Sequence, residues 1–143
     1  MKLTSDVFKN NEPIPKKYTC FGENVSPALM ISEIPLDAKS LCLIVDDPDA
    51  PNGTFDHWIA WNIPPTKSIN EGESVGVEGK NHFGENGYKG PRPPPGPIHH
   101  YHFKLYAIDD EIHLPEGSSK EQVLKAIKSH ILDQAELVGT YQC

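Results

Sequence analysis

The chain has 143 residues, 37% of them hydrophobic and 23% charged, enough for one domain that buries about two-thirds of the surface its unfolded form exposes. Thirteen Lys and Arg against twenty Asp and Glu leave a formal net charge of -7; a surface negative on average repels nucleic-acid phosphates and anionic headgroups. No apolar run approaches the roughly 18 residues of a membrane span, so a single soluble domain with no membrane span and no nucleic-acid partner is expected.

The first segment, MKLTSDVFKNNEPIPKKY, has no apolar stretch of about 7 to 15 residues and no small-residue cleavage site, which predicts a cytoplasmic location. Cys20, Cys42 and Cys143 are an odd number without CxxC spacing. They read as free thiols, with Cys42 in the core and no Cys-based zinc site. Fourteen prolines and eleven glycines cut the chain into short pieces that suit strands joined by turns, hence an antiparallel β-sandwich.

In chain order, Ser40 to Asp46 (SLCLIVD) is apolar on both alternation phases, the pattern of a strand covered on both faces. Trp58 to Ile63 (WIAWNI) and Tyr101 to Ile108 (YHFKLYAI) are the next strands. In the latter, Tyr101, Phe103, Leu105 and Ala107 share one face. Between them, Glu71 to Pro97 is rich in Gly, Asn and Pro, and irregular stretches of that length are often functional. One main helix is predicted from about Ser119 to Leu132, with Ser118 and Glu121 at capping-box spacing and Val123, Leu124, Ile127 and Ile131 at helical intervals. Glu136 to Tyr141 returns to strand composition.

Three motifs carry the chemistry. Asp47-Pro48-Asp49-Ala50-Pro51 follows the buried strand, and its prolines stiffen Asp47 and Ala50 in extended conformations. Asp49 reads as a cap for backbone N–H groups. Phe55, with Asp56-His57-Trp58, enters the next strand. Gly90-Pro91-Arg92-Pro93-Pro94-Pro95-Gly96-Pro97-Ile98-His99-His100-Tyr101 leads out of the long loop, and strand alternation sets His99 and Tyr101 on one side and His100 on the other. A stiff loop wall is the reading of the proline run. Singly, a histidine at a strand end is more often a satisfied structural residue than a ligand-binding one.

Together, in this order and spacing, the motifs resemble the phosphatidylethanolamine-binding protein family, in its short bacterial and archaeal branch termed Raf kinase inhibitor-like. The similarity extends to CFGENVSP near the start, DDPDAPNGTFDHWIAWNIP, YKGP, HFKLYAID and the closing LVGTY. It implies a Greek-key-like antiparallel β-sandwich with one or two short helices and a small phosphate-accepting pocket. Matched motif by motif, the pocket residues are Asp47, His57, Gly90, His99 and Tyr101, supported by Asp49, Pro51 and Phe55. One departure is His100, where the family usually has arginine, which replaces a permanent cation by a titratable one. The longer eukaryotic relatives also carry a C-terminal extension that does not match here.

The residues suit an anion. Two imidazoles donate hydrogen bonds and carry charge when protonated, and Asp47 nearby is expected to raise their affinity for protons. A monoprotonated phosphate that donates its hydrogen to Asp47, or a zwitterionic headgroup whose ammonium sits near that acid, fits better than a fully ionised phosphate, and backbone N–H groups around Gly90 would complete the cradle. The function expected is a regulatory binding module for a small anionic or phosphorylated ligand, with no cofactor. A kinase or serine protease as inhibited partner comes with the resemblance, and monomer and homodimer both remain open. The rival is a small hydrolase or metal-assisted enzyme using Asp47, His57 and His99; no serine or cysteine stands in a nucleophile-elbow context, which weighs against it.

Overall fold

The computed structural model describes residues 1–143. The strands are β1 (Lys2–Thr4), β2 (Glu12–Pro13), β3 (Leu29–Ser32), β4 (Ser40–Asp47), β5 (Phe55–Ile63), β6 (Ser68–Ile69), β7 (Val77–Glu78), β8 (His99–Ile108) and β9 (Ile131–Tyr141), with one helix, α1 (Lys120–Ile127), and a 3-10 turn at Lys16–Tyr18. They form a small sheet ordered β1-β3-β6 and a large one ordered β2-β9-β8-β4-β5-β7. All pairings are antiparallel except β2 with β9. The fold is the expected β-sandwich.

Alternation decides what lies where. Leu41, Leu43 and Val45 of β4, Trp58 and Ala60 of β5, and Tyr101, Phe103, Leu105 and Ala107 of β8 meet Leu3, Leu29, Ile31 and Ile69 from the small sheet, forming the main core between the layers. The intervening residues Cys42, Ile44, Ile59 and Trp61 face the other way and pack beneath Val123 and Ile127 of α1. This is why the sequence of β4 is apolar on both phases: both faces are covered. Each fully buried Leu, Ile or Phe contributes about 1.5 to 3 kcal/mol. Desolvation in the second core pushes the Cys42 thiol up to about 12.

Two sequence expectations need correction at the helix. Its cap is Ser119, not Ser118: Ser119 Oγ accepts from Gln122 N while the Gln122 side chain accepts from Ser119 N, and Ser118 Oγ instead donates to the Pro115 carbonyl. The helix also ends at Ile127, five residues early. Ile131, which keeps the helical interval, pairs with Ile108 as the start of β9, because the long β8 edge offers a ladder of ten registered pairs that overrides local propensity.

No helix is long and apolar enough to cross a membrane.

Candidate functional site

The C-terminal end of β4, the start of β5 and the start of β8 meet at one end of the large sheet. Asp47 lies opposite Phe55 across the β4–β5 pair, and the register steps by one residue between Val45–Trp58 and Asp46–Asp56. The residue left over is His57. In an unbroken strand His57 and Trp58 would face opposite sides; the bulge turns both toward the inner face, where His57 packs edge-on against Tyr101 with ring centroids 5.2 Å apart. From β8, alternation supplies His99 and Tyr101 to the same face. The result is a cavity of about 450 Å³ lined by Asp47, His57, His99 and Tyr101, with Pro51 and Phe55 on one side.

Both histidines are oriented by their Nδ1 atoms. His57 Nδ1 lies 2.7 Å from the Lys89 carbonyl oxygen, which can only accept, so Nδ1 carries the hydrogen. His99 Nδ1 lies 2.7 Å from Asp47 Oδ2 and donates to it; Asp47 Oδ1 accepts from Asp49 N at 2.8 Å. Nε2 of each ring is left without a protein partner, and neither atom is sealed from solvent. The two residues are only 3% and 2% exposed, so their geometry is fixed by packing. Burial lowers the proton affinity of His57 below the ordinary 6.5, outweighing the Lys89 carbonyl and the nearby Asp47. That corrects the expectation that Asp47 raises the basicity of both imidazoles: His57 is held neutral and offers Nε2 as an acceptor. Burial, then Asp47, raises the Tyr101 phenol far above its usual range, so it stays an O–H donor.

Asp49 does not line the cavity. Its Oδ2 accepts from His100 N at 2.8 Å and from His100 Nδ1 at 2.7 Å, so His100 ties the Asp47–Phe55 turn to β8. This pair and the His100 N–H hold Asp49 below the usual carboxylate range although its partial burial opposes them. Gly90 is a second correction. It is absent from the cavity lining, and its N–H is already given to Asn24 Oδ1 at 2.7 Å. Its requirement is steric: a Cβ there would collide with the Tyr18 carbonyl oxygen. Gly90 lets two backbone segments touch behind the wall, with its N–H held by Asn24.

The long loop supplies residues that sequence reasoning did not select: His82, Phe83, Arg92, Pro93 and Pro94 all line the cavity. Phe83 packs edge-on against Phe55 at 4.8 Å and His57 at 5.7 Å. The length of the loop was the available signal; the identities of its contacting residues were not. Arg92 is an exposed cation at the mouth of an otherwise nearly uncharged rim. No group of three or more His, Cys, Asp or Glu side chains is arranged to hold a metal ion.

The sequence profile described as phosphatidylethanolamine-binding protein matches residues 4–142. The chain belongs to this family. A UPF0098 protein of Pyrococcus abyssi is 51% identical over 152 residues, covering 99% of this chain and 85% of that protein. One from Chlamydia muridarum is 48% identical over 99% of both. Among solved structures, a family homologue from Chlamydia trachomatis superposes with a TM-score of 0.95 at 45% identity over 99% of this chain and 97% of that one. Escherichia coli YbcL, described as a member of the mammalian family, gives 0.92 at 30% identity over 99% and 98%.

Proposed function

We propose that this family member is a binding module whose cavity takes a small anion that still carries a proton, of the phosphate or phosphomonoester class. The observation that carries the reading is the tethering of Nδ1 in both His57 and His99, which leaves two Nε2 atoms free in one cavity. The two are not equivalent. Asp47 stands behind His99 and balances the charge it takes on when it donates to an anion, as carboxylate–imidazole pairs do. His57, kept neutral by burial, accepts a hydrogen from the ligand. Both oxygens of Asp47 are engaged, so the ligand's proton is received by His57, not by Asp47 as the sequence suggested. Tyr101 O–H and the Arg92 guanidinium supply further donors.

Calorimetric titration of the protein with inorganic phosphate and with sulfate at pH 6 and pH 8 tests this reading. Both anions should bind more tightly at pH 6, since His99 must gain a proton to donate through Nε2. Sulfate keeps its charge across this interval, so its pH dependence reports the protein alone. Lacking a hydrogen for His57, it should bind more weakly than phosphate at pH 6. Equal sulfate affinities at the two pH values would mean that no imidazole is charged on binding.

A further inference from the structure

On the reverse face of β4 and β5, Asp46 and Asp56 stand directly opposite one another, at the register step that throws His57 into the cavity. Their side chains are only 5% and 2% exposed. Like charges at opposed strand positions repel, and burial strengthens the repulsion by excluding water. Lys120, the first residue of α1, answers both: its Nζ lies 2.7 Å from Asp56 Oδ1 and 3.2 Å from Asp46 Oδ2. Lys104 Nζ adds a 3.3 Å contact to Asp46 only. Asp56 has one other neighbour able to take on charge, His82, whose Nε2 is 3.4 Å from Asp56 Oδ2. The other titratable groups on this face are Tyr106, which senses Asp46 and Lys120, and His102, which lies opposite Asp46 on β8 with its Nδ1 3.3 Å from Glu136 Oε2. Burial disfavours the Lys120 charge, yet Asp56 and Asp46 together hold its affinity for protons above the ordinary lysine value.

The cluster is wired to the cavity at three points. Asp46 precedes Asp47 and Asp56 precedes His57 in the chain. His82, which lines the cavity, accepts the Asp56 backbone N–H through Nδ1 at 2.9 Å. A protonated imidazole has hydrogens on both nitrogens and loses that acceptor. With Lys120 in place, Asp56 is neutralised and His82 keeps the form that accepts. Without it, Asp56 turns to His82 for charge, the ring must break its bond to the backbone beside His57, and the bulge is released.

We propose that Lys120 is a positioning residue for the cavity: by neutralising Asp46 and Asp56 together from the start of α1, it fixes the β4–β5 bulge and the His82 ring, and so sets where His57 stands. This rests on the anion-binding reading for its functional consequence.

The test compares the full chain with Lys120→Met, Lys120→Arg and the double variant Lys120→Met/Asp56→Asn. The histidine ring resonances are followed against pH by NMR without ligand, and inorganic phosphate affinity is then measured across the same pH range. In Lys120→Met the His82 midpoint should move to higher pH, the His57 ring should shift, and phosphate should bind about 10-fold more weakly with an altered pH profile. Lys120→Arg should behave as the parent. The double variant, which leaves no unpaired charge on Asp56, should recover affinity to within about threefold and decides the matter if Lys120→Met does not fold. Unchanged ring titrations and affinity in Lys120→Met, or a double variant that stays weak, would overturn the proposal and leave a purely stabilising ion cluster. If the parent protein does not bind phosphate, the anion reading falls while the ligand-free ring titrations still decide the role of Lys120.

Discussion

At one end of the large sheet, the same three strands present two faces that treat buried charge in opposite ways. On the reverse face every carboxylate has a counter-charge or an imidazole within ion-pair distance: Asp46 has Lys104 and Lys120, Asp56 has Lys120 and His82, and the neighbouring side chains Ile44, Ile59 and Trp61 are sealed under α1, with Trp61 Nε1 the one nitrogen there that lacks a hydrogen-bond partner. On the cavity face the polar groups are oriented but unfinished, since each histidine is anchored through Nδ1 and left open at Nε2. Buried polar groups are ordinarily satisfied, so a set that is rigidly held yet incomplete marks the face where a partner binds. The difference teaches that stability and recognition can be divided between alternate residues of the same strands. Substitutions on the two faces should therefore separate the two properties.

The largest effect should come from the reverse face. Trp61→Ala empties a fully buried site and should lower the unfolding free energy by about 3 to 5 kcal/mol in a denaturant titration, with phosphate affinity unchanged where the variant is folded. Next is Gly90→Ala. Its added Cβ would collide with the Tyr18 carbonyl, so about 3 kcal/mol of stability should be lost through backbone displacement. Unchanged stability in Gly90→Ala would mean that the close approach of the Tyr18 backbone does not require a glycine here.

On the cavity face the sign of the comparison reverses. His99→Ala removes the donor backed by Asp47 and should weaken phosphate binding by about 1.5 to 3 kcal/mol, or roughly 10- to 150-fold, while the fold persists. The same dissociation constant in the variant and the parent would remove His99 from the site.

The smallest effect is a pH slope. His57 has a folded proton affinity below the ordinary 6.5, chiefly through burial. The folded chain thus holds this proton less readily than the unfolded chain, so stability is complete above about pH 6.5 and falls as pH drops from there through the lower folded value. In His57→Gln this part of the decline should vanish, measured as unfolding free energy between pH 7 and 5. An identical slope in both proteins would mean that His57 is not the buried neutral group of the cavity face.

Much of this arrangement is written locally. The double-phase apolar run of β4, the alternation that sets His99 beside Tyr101 and His100 opposite them, and the prolines that stiffen the Asp47 turn are consequences of strand geometry, and each can be read from neighbours in sequence. The motif order was sufficient to assign the family. What sequence could not decide depends on contacts between distant segments. Ile131 satisfies the helical interval as well as it satisfies β9, and only the waiting edge of β8 selects the strand. The direction of His57 depends on a one-residue register step whose existence is set by pairing with β4, and the neutral state of its ring depends on burial beneath Phe55 and Phe83. Gly90 looks like a ligand-binding glycine until Tyr18 and Asn24, about 70 residues away in the chain, are brought against it. Periodicity fixes which way a side chain points along one strand, whereas charge balance, desolvation and steric contact are properties of the assembled layers.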